Sequence, residues 1–446
     1  MKEYLIKNAK IVNENKIFEG DVHLKDGWIV EVSSSISAKS SDIEIIDAGG
    51  KHLIPGVIDD QVHFREPGLT HKETILTGSR AAVAGGITSY FEMPNTNPQT
   101  TTIEKLEEKF AMAKDNSFAN YSFMIGGTND NLEEIKKINP KTTAALKLFL
   151  GSSTGNMLVD DQKVLEEIFK HSPLIIATHC EDEATIQRNL KEQVEKYGDD
   201  IPIHLHPKIR SEEACYLSSS NAVALAKKTG ARLHVFHLST AKELKLFSNK
   251  LPLAKKKITA EVCIHHLWFN ESDYEKKGTF IKWNPAVKTE KDRTELLKAL
   301  NKNLLDVVAT DHAPHTKEEK NNVYTKAPSG GPLVQHGLPA MLEFYHKGKL
   351  SLEKIVEKMC HNPAILFDVD KRGYIREGYK ADVVLIDTQS PWTVNSRNIF
   401  YKCGWSPFDG TSFKSRVTHT FVNGHLVFEN FKFNDGLFGE RIKFNR

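Results

Sequence analysis

The chain has 446 residues, 39% hydrophobic and 26% charged, a globular balance with ample core-forming material. Lys and Arg number 60 against 58 for Asp and Glu, so no basic field exists to attract nucleic acid. The opening Met-Lys-Glu-Tyr run lacks the apolar core of a secretion signal and no stretch approaches a membrane span; five scattered cysteines form no Cys-x-x-Cys pair, and a cytoplasmic protein with reduced thiols is expected.

Short β-like runs open the chain at 4–6, 9–12, 21–24, 28–32 and 44–48, punctuated by Asn13, Gly20, Asp26 and Gly27. The same texture returns at 381–386, 417–422 and 425–428, with Asn423-Gly424 as a hairpin turn. Between these flanks, apolar strands alternate with helix-length polar segments. Eight strands are predicted, at 53–63, 87–93, 120–125, 144–150, 174–179, 232–237, 258–262 and 306–311, with helices between them such as 103–114 and 292–301. Eight strands close a parallel barrel. The expected architecture is therefore α/β: a (β/α)₈ TIM-type barrel over 53–372, and a small β-sandwich assembled from both chain ends, 1–52 and 373–446.

Barrel enzymes carry their chemistry at the C-terminal ends of the strands. Those ends supply His63, Lys147, His179, His237 and Asp311. Any one of these histidines is more simply a hydrogen-bonded core residue. Four ligand-type residues ending four strands point instead to metal. Lys147 sits in the apolar run Ala144-Ala145-Leu146-Lys147-Leu148-Phe149-Leu150, where it either snorkels or faces a dry site. In the second case its neutral amine adds CO₂, and the carbamate bridges metal ions. Residues 151–156 and 329–332 read as mobile loops at the barrel mouth, while His204 and His206, in a Pro-bounded segment, read as surface or lid residues.

The run Ile54-Pro55-Gly56-Val57-Ile58-Asp59 leading to His63-Phe64-Arg65-Glu66-Pro67-Gly68 resembles the first-strand signature of the dihydroorotase family, within the amidohydrolase superfamily. Met93-Pro94-Asn95-Thr96-Asn97-Pro98, His179-Cys180-Glu181-Asp182, His234 to Thr240, Glu261 to His266 and Ala309 to His315 are similar to its later motifs, in the right order along nearly the whole chain. The resemblance implies two zinc ions, one on His179 and His237, the other on His63 and Asp311, with Lys147 bridging. It implies Asp311 as the proton-transferring group, and Arg65, Asn95, Asn284 and His315 as contacts to dihydroorotate or N-carbamoyl-L-aspartate, interconverted in pyrimidine biosynthesis. Arg65 would recognise the substrate carboxylate; a structural ion pair with Glu66 is the plainer alternative. A homodimer is the default expectation, with no membrane or nucleic-acid partner.

One position departs from the pattern. The family presents His-x-His on its first strand, where this chain has Gln61-Val62-His63. Strand alternation puts Asp59, Gln61 and His63 on one face and leaves Asp60 on the other. A neutral amide is a weaker zinc ligand than imidazole, so the resemblance leaves three readings open. These are a dihydroorotase with one or two metals, another cyclic amidase of the allantoinase or dihydropyrimidinase type, and a catalytically silent partner subunit.

Overall fold

The computed structural model describes residues 2–151, 157–434, 436 and 438–446, so most of the loop expected at 151–156 lies outside the described residues. The protein is a (β/α)₈ barrel joined to a β-sandwich domain drawn from both ends of the chain. The barrel strands are Val57–Val62, Ile87–Glu92, Asn120–Phe123 continuing as Ile125–Gly126, Leu146–Phe149, Ile176–His179, Leu233–Val235, Ile258–Cys263 and Val307–Ala309. Each pairs in parallel with the next. The eighth closes onto the first through a parallel bridge between Val62 and His312, where the His63 N–H donates to the His312 carbonyl at 2.7 Å. Nearly every strand residue is buried, which is why these segments read as continuous apolar runs without alternation.

The flanking sheet runs Lys432–Phe433, His425–Glu429, Arg416–Val422, Val383–Asp387, His52–Pro55, Glu3–Asn13, Lys16–Lys25 and Trp28–Ser33, with Ile43–Asp47 added beside Glu3–Asn13. Two short strands expected at 4–6 and 9–12 are one strand with a bulge, where Asn8 takes a left-handed conformation (φ 56°). Asn423 and Gly424 both have positive φ, the geometry of a tight hairpin turn. The strand expected at 53–63 divides at Gly56. His52–Pro55 belongs to the outer sheet and Val57–Val62 to the barrel. The reason is packing: a Cβ on Gly56 would lie 2.0 Å from the Thr88 Oγ1 of the neighbouring barrel strand.

A second irregularity matters for the site. Pairing between the first two barrel strands skips a residue between Asp59 and Val62. This bulge breaks the alternation expected from sequence. The Asp59 carboxylate turns to the backbone N–H and hydroxyl of Thr310, whereas Asp60 points at His234 across the barrel interior and Gln61 and His63 face the mouth.

Candidate active site at the barrel mouth

A cavity at the C-terminal end of the barrel is lined by Gln61, His63, Arg65, Asn95, Lys147, His179, His237, Asn284 and Asp311. Thus nine of the ten sequence-predicted residues converge on one space. The tenth, His315, is fully buried behind Arg65 and does not reach the wall. Three of the lining residues, Arg65, His237 and Asp311, hold left-handed backbone conformations (φ 65°, 39° and 49°) just past the ends of strands one, six and eight. Such conformations cost a non-glycine residue on the order of 1 kcal/mol or more and cluster where side-chain aim matters.

His179 and His237 face each other, with His179 Nδ1 3.0 Å from His237 Nε2. The other nitrogen of His179, Nε2, lies 3.0 Å from the Glu181 carboxylate, which is also paired with Arg210. Burial raises the Glu181 carboxyl, but Arg210 and His179 outweigh it and hold the group down at about 2. An ionised Glu181 beside Nε2 favours the tautomer with its proton there, which leaves the Nδ1 lone pair to point into the cavity. Burial lowers the pKa of both imidazoles, keeping them neutral. Asp182, next along the chain, caps the helix Glu183–Tyr197 by accepting from the Thr185 N–H, which fixes where the strand-five segment turns.

Lys147 is 1% exposed, with its ammonium over the rings of Phe149 and Phe236 at 4.8 and 4.2 Å and, among the described residues, no acid within ion-pair distance. Burial pulls its pKa down to about 8, so a substantial share of the amine is neutral near physiological pH. On the opposite wall, His63 Nδ1 meets Asn95 Oδ1 at 2.8 Å and Nε2 meets Asp311 Oδ1 at 3.2 Å. Asn95 therefore orients His63 in addition to lining the cavity. The Gln61 amide oxygen accepts the Cys263 thiol at 3.5 Å.

The donor set fits zinc in its two neutral imidazole nitrogens, His179 Nδ1 and His237 Nε2, which stand at the spacing of adjacent ligands. Sequence reasoning missed the positioning pair Glu181 and Arg210. Glu181 follows His179 by two residues and was legible as a partner; Arg210 arrives from a distant segment with no local signal. His206 is a correction. It is completely buried, bonded to the Tyr324 hydroxyl at 2.8 Å and the Trp283 carbonyl at 2.7 Å, because its segment packs under the wall that Trp283 forms.

Residues 52–427 match the sequence profile of the amidohydrolase family. The chain belongs to that family. It is a cyclic amidohydrolase, similar to curated dihydroorotases. That of Methanosarcina mazei is 34% identical over 422 residues, covering 92% of this chain and 91% of that protein. That of Pyrococcus furiosus is 33% identical over 440 residues, covering 98% and 96%. Among solved structures, an L-hydantoinase (dihydropyrimidinase) from Arthrobacter aurescens superposes with a TM-score of 0.92 at 28% identity, over 99% of this chain and all of that one. A dihydropyrimidinase from Brevibacillus agri gives 0.89 at 25% identity, with full coverage of both. No helix among the described residues is long and apolar enough to cross a membrane.

Proposed function

We propose that this amidohydrolase is a zinc-dependent dihydroorotase, interconverting dihydroorotate and N-carbamoyl-L-aspartate in pyrimidine biosynthesis. The observation that carries this reading is Arg65. Its guanidinium is 2% exposed, and among the described residues no carboxylate pairs with it; Glu66, the alternative partner, instead accepts the Ile75 N–H. Arg65 Nε donates to the Pro314 carbonyl at 3.1 Å, and Nη2 lies 3.1 Å from His315 Nε2. The second contact is not a satisfied hydrogen bond. Lys72 can only donate to His315 Nδ1, so the imidazole proton sits on Nε2 and goes to the Ser329 carbonyl. A buried guanidinium with most of its donors uncommitted suits a carboxylate, which dihydroorotate carries and plain hydantoins and dihydropyrimidines lack.

When bound by His179, His237 and a carbamylated Lys147, zinc would supply a water of lowered pKa and polarise the ring carbonyl. Gln61, whose amide oxygen already accepts the Cys263 thiol, is the weak member of the second zinc position that His63 and Asp311 would form, so one or two ions at the mouth are the counts to expect. In ring opening, Asp311 takes the proton of the attacking water and returns it to the ring nitrogen as the C–N bond breaks. Cyclisation runs the same proton transfers in reverse. His63, held by Asn95, keeps the Asp311 carboxylate aimed at the reacting centre.

The test is ring opening by purified protein supplied with zinc and bicarbonate, with dihydroorotate, hydantoin and dihydrouracil compared and zinc counted on the same sample. Turnover of dihydroorotate well above the uncharged rings is expected. Preference for an uncharged ring would assign the chain to the hydantoinase type, and bound zinc with no turnover would favour the silent-partner reading.

A further inference from the structure

We propose that Asp60, His234 and Glu261 form a separate cation site inside the barrel, taking a zinc-like divalent transition metal. The three side chains come from barrel strands one, six and seven, and none of them lines the mouth cavity. All are fully buried, and their ligand atoms lie within 4.8 Å of one another. His234 Nε2 is 3.4 Å from Asp60 Oδ2 and 3.7 Å from Glu261 Oε2. Ligand atoms held at zinc distances on a tetrahedron stand about 3.4 Å apart, so the two separations from His234 are close to those of a coordination face.

An independent observation points to a ligand. Both oxygens of Asp60, Oε2 of Glu261 and Nε2 of His234 have no hydrogen-bond partner, though all are sealed from solvent. Such groups are rarely left unsatisfied. The tautomer of His234 sharpens the point. Thr259 gives its hydroxyl proton to the Leu233 carbonyl, so Thr259 Oγ1 accepts from His234 Nδ1 at 2.9 Å. With that proton on Nδ1, a neutral ring would present a bare Nε2 lone pair to the two carboxylates, the form that a metal ion takes up. With both carboxylates ionised, a proton there leaves one net negative charge among the apolar side chains of Ile58, Phe236 and Phe367, whereas a dication with a neutral imidazole leaves none. One nitrogen and two carboxylate donors suit a transition ion, whereas calcium takes six or more oxygens and magnesium keeps its water. The other oxygen of Glu261 accepts the His237 N–H at 3.0 Å, so such an ion would tie three strands together beneath the mouth.

The bulge between Asp59 and Val62 makes the cluster, by turning Asp60 inward. The test is an anomalous difference map from crystals of the full chain equilibrated with zinc. A peak bonded to Asp60, His234 and Glu261, distinct from any at His179 and His237, is expected; a map with no such peak overturns the proposal. Zinc counting gives a second readout in solution. A His179→Asn/His237→Asn protein should keep about one equivalent, and Asp60→Asn should bind about one fewer than wild type. Loss of all zinc from the first variant, or an unchanged count in the second, would also overturn it.

Discussion

Arg65 and Glu181 are both buried charges beside the cavity, yet they resolve their charge differently. Glu181 is neutralised within the protein by Arg210 and His179, whereas Arg65 has no acid partner among the described residues. Replacing Arg65 by Ala should therefore act on substrate, not on the fold. We expect kcat/KM for dihydroorotate to fall by roughly 100- to 1000-fold, about the worth of a lost charge-assisted pair, with Arg65→Lys recovering little because a point charge cannot form the fork. Activity on hydantoin should fall far less, and an equal loss on both substrates would remove the carboxylate assignment. Glu181 gives a prediction in pH. Its folded value, about 2, lies below the ordinary 4.5, so its contribution is complete above about pH 4.5 and lost as pH falls from there through 2. At pH 7, Glu181→Gln should cost on the order of 3 kcal/mol in urea unfolding of zinc-free protein. The gap between the two proteins should close as the pH drops below 4; a gap independent of pH would mean that Glu181 acts through packing.

At the level of elements, most of the barrel was legible because its strands are buried on both faces and its ligand residues fall at strand ends. What sequence could not show was irregularity. The split at Gly56 and the bulge at Asp59 to Val62 depend on cross-strand neighbours, not on local preference. Strict alternation accordingly sent Asp60 outward, when the bulge turns it to His234. Likewise His315 carries the expected motif but is held behind Arg65 by Lys72 and Ser329, contacts from two other segments. The strand break has its own test. Gly56→Ala places a methyl 2.0 Å from Thr88 Oγ1 and 2.7 Å from its Cγ2, a conflict worth about 1–3 kcal/mol. Adding Thr88→Ala removes both atoms and leaves only the Cβ at 2.8 Å, so the double variant should be more stable than the sum of the two single losses. Strict additivity in thermal or urea unfolding would mean the clash is not what fixes the glycine.

Across the whole molecule, the two ends of the barrel divide labour. The mouth carries the strained and charged groups, while the opposite end is closed by apolar packing to which the C-terminal tail contributes. Ile442 is fully buried, Phe444 meets Phe91 at a ring distance of 5.8 Å, and the Arg446 guanidinium donates to the carbonyls of Thr143, Ala144 and Phe367. These contacts lie at the starts of strands three and four, through the Tyr121–Arg441 bridge and the Phe444 N–H to the Lys141 carbonyl. Function in this fold is decided at the other end. Deleting residues 441–446 removes two buried apolar side chains, each costing about 2–5 kcal/mol, and exposes the Phe91 and Phe367 rings. The thermal midpoint should fall by roughly 5–10 °C on that basis. The fraction still folded at 20 °C should keep kcat/KM within about a factor of two, because no group that aims at substrate has moved. A truncated protein of unchanged midpoint would show the tail to be mere surface. One that melts normally but turns over slowly would show that packing at the barrel floor reaches the mouth, with the Asp60, His234 and Glu261 cluster between them as the route to examine.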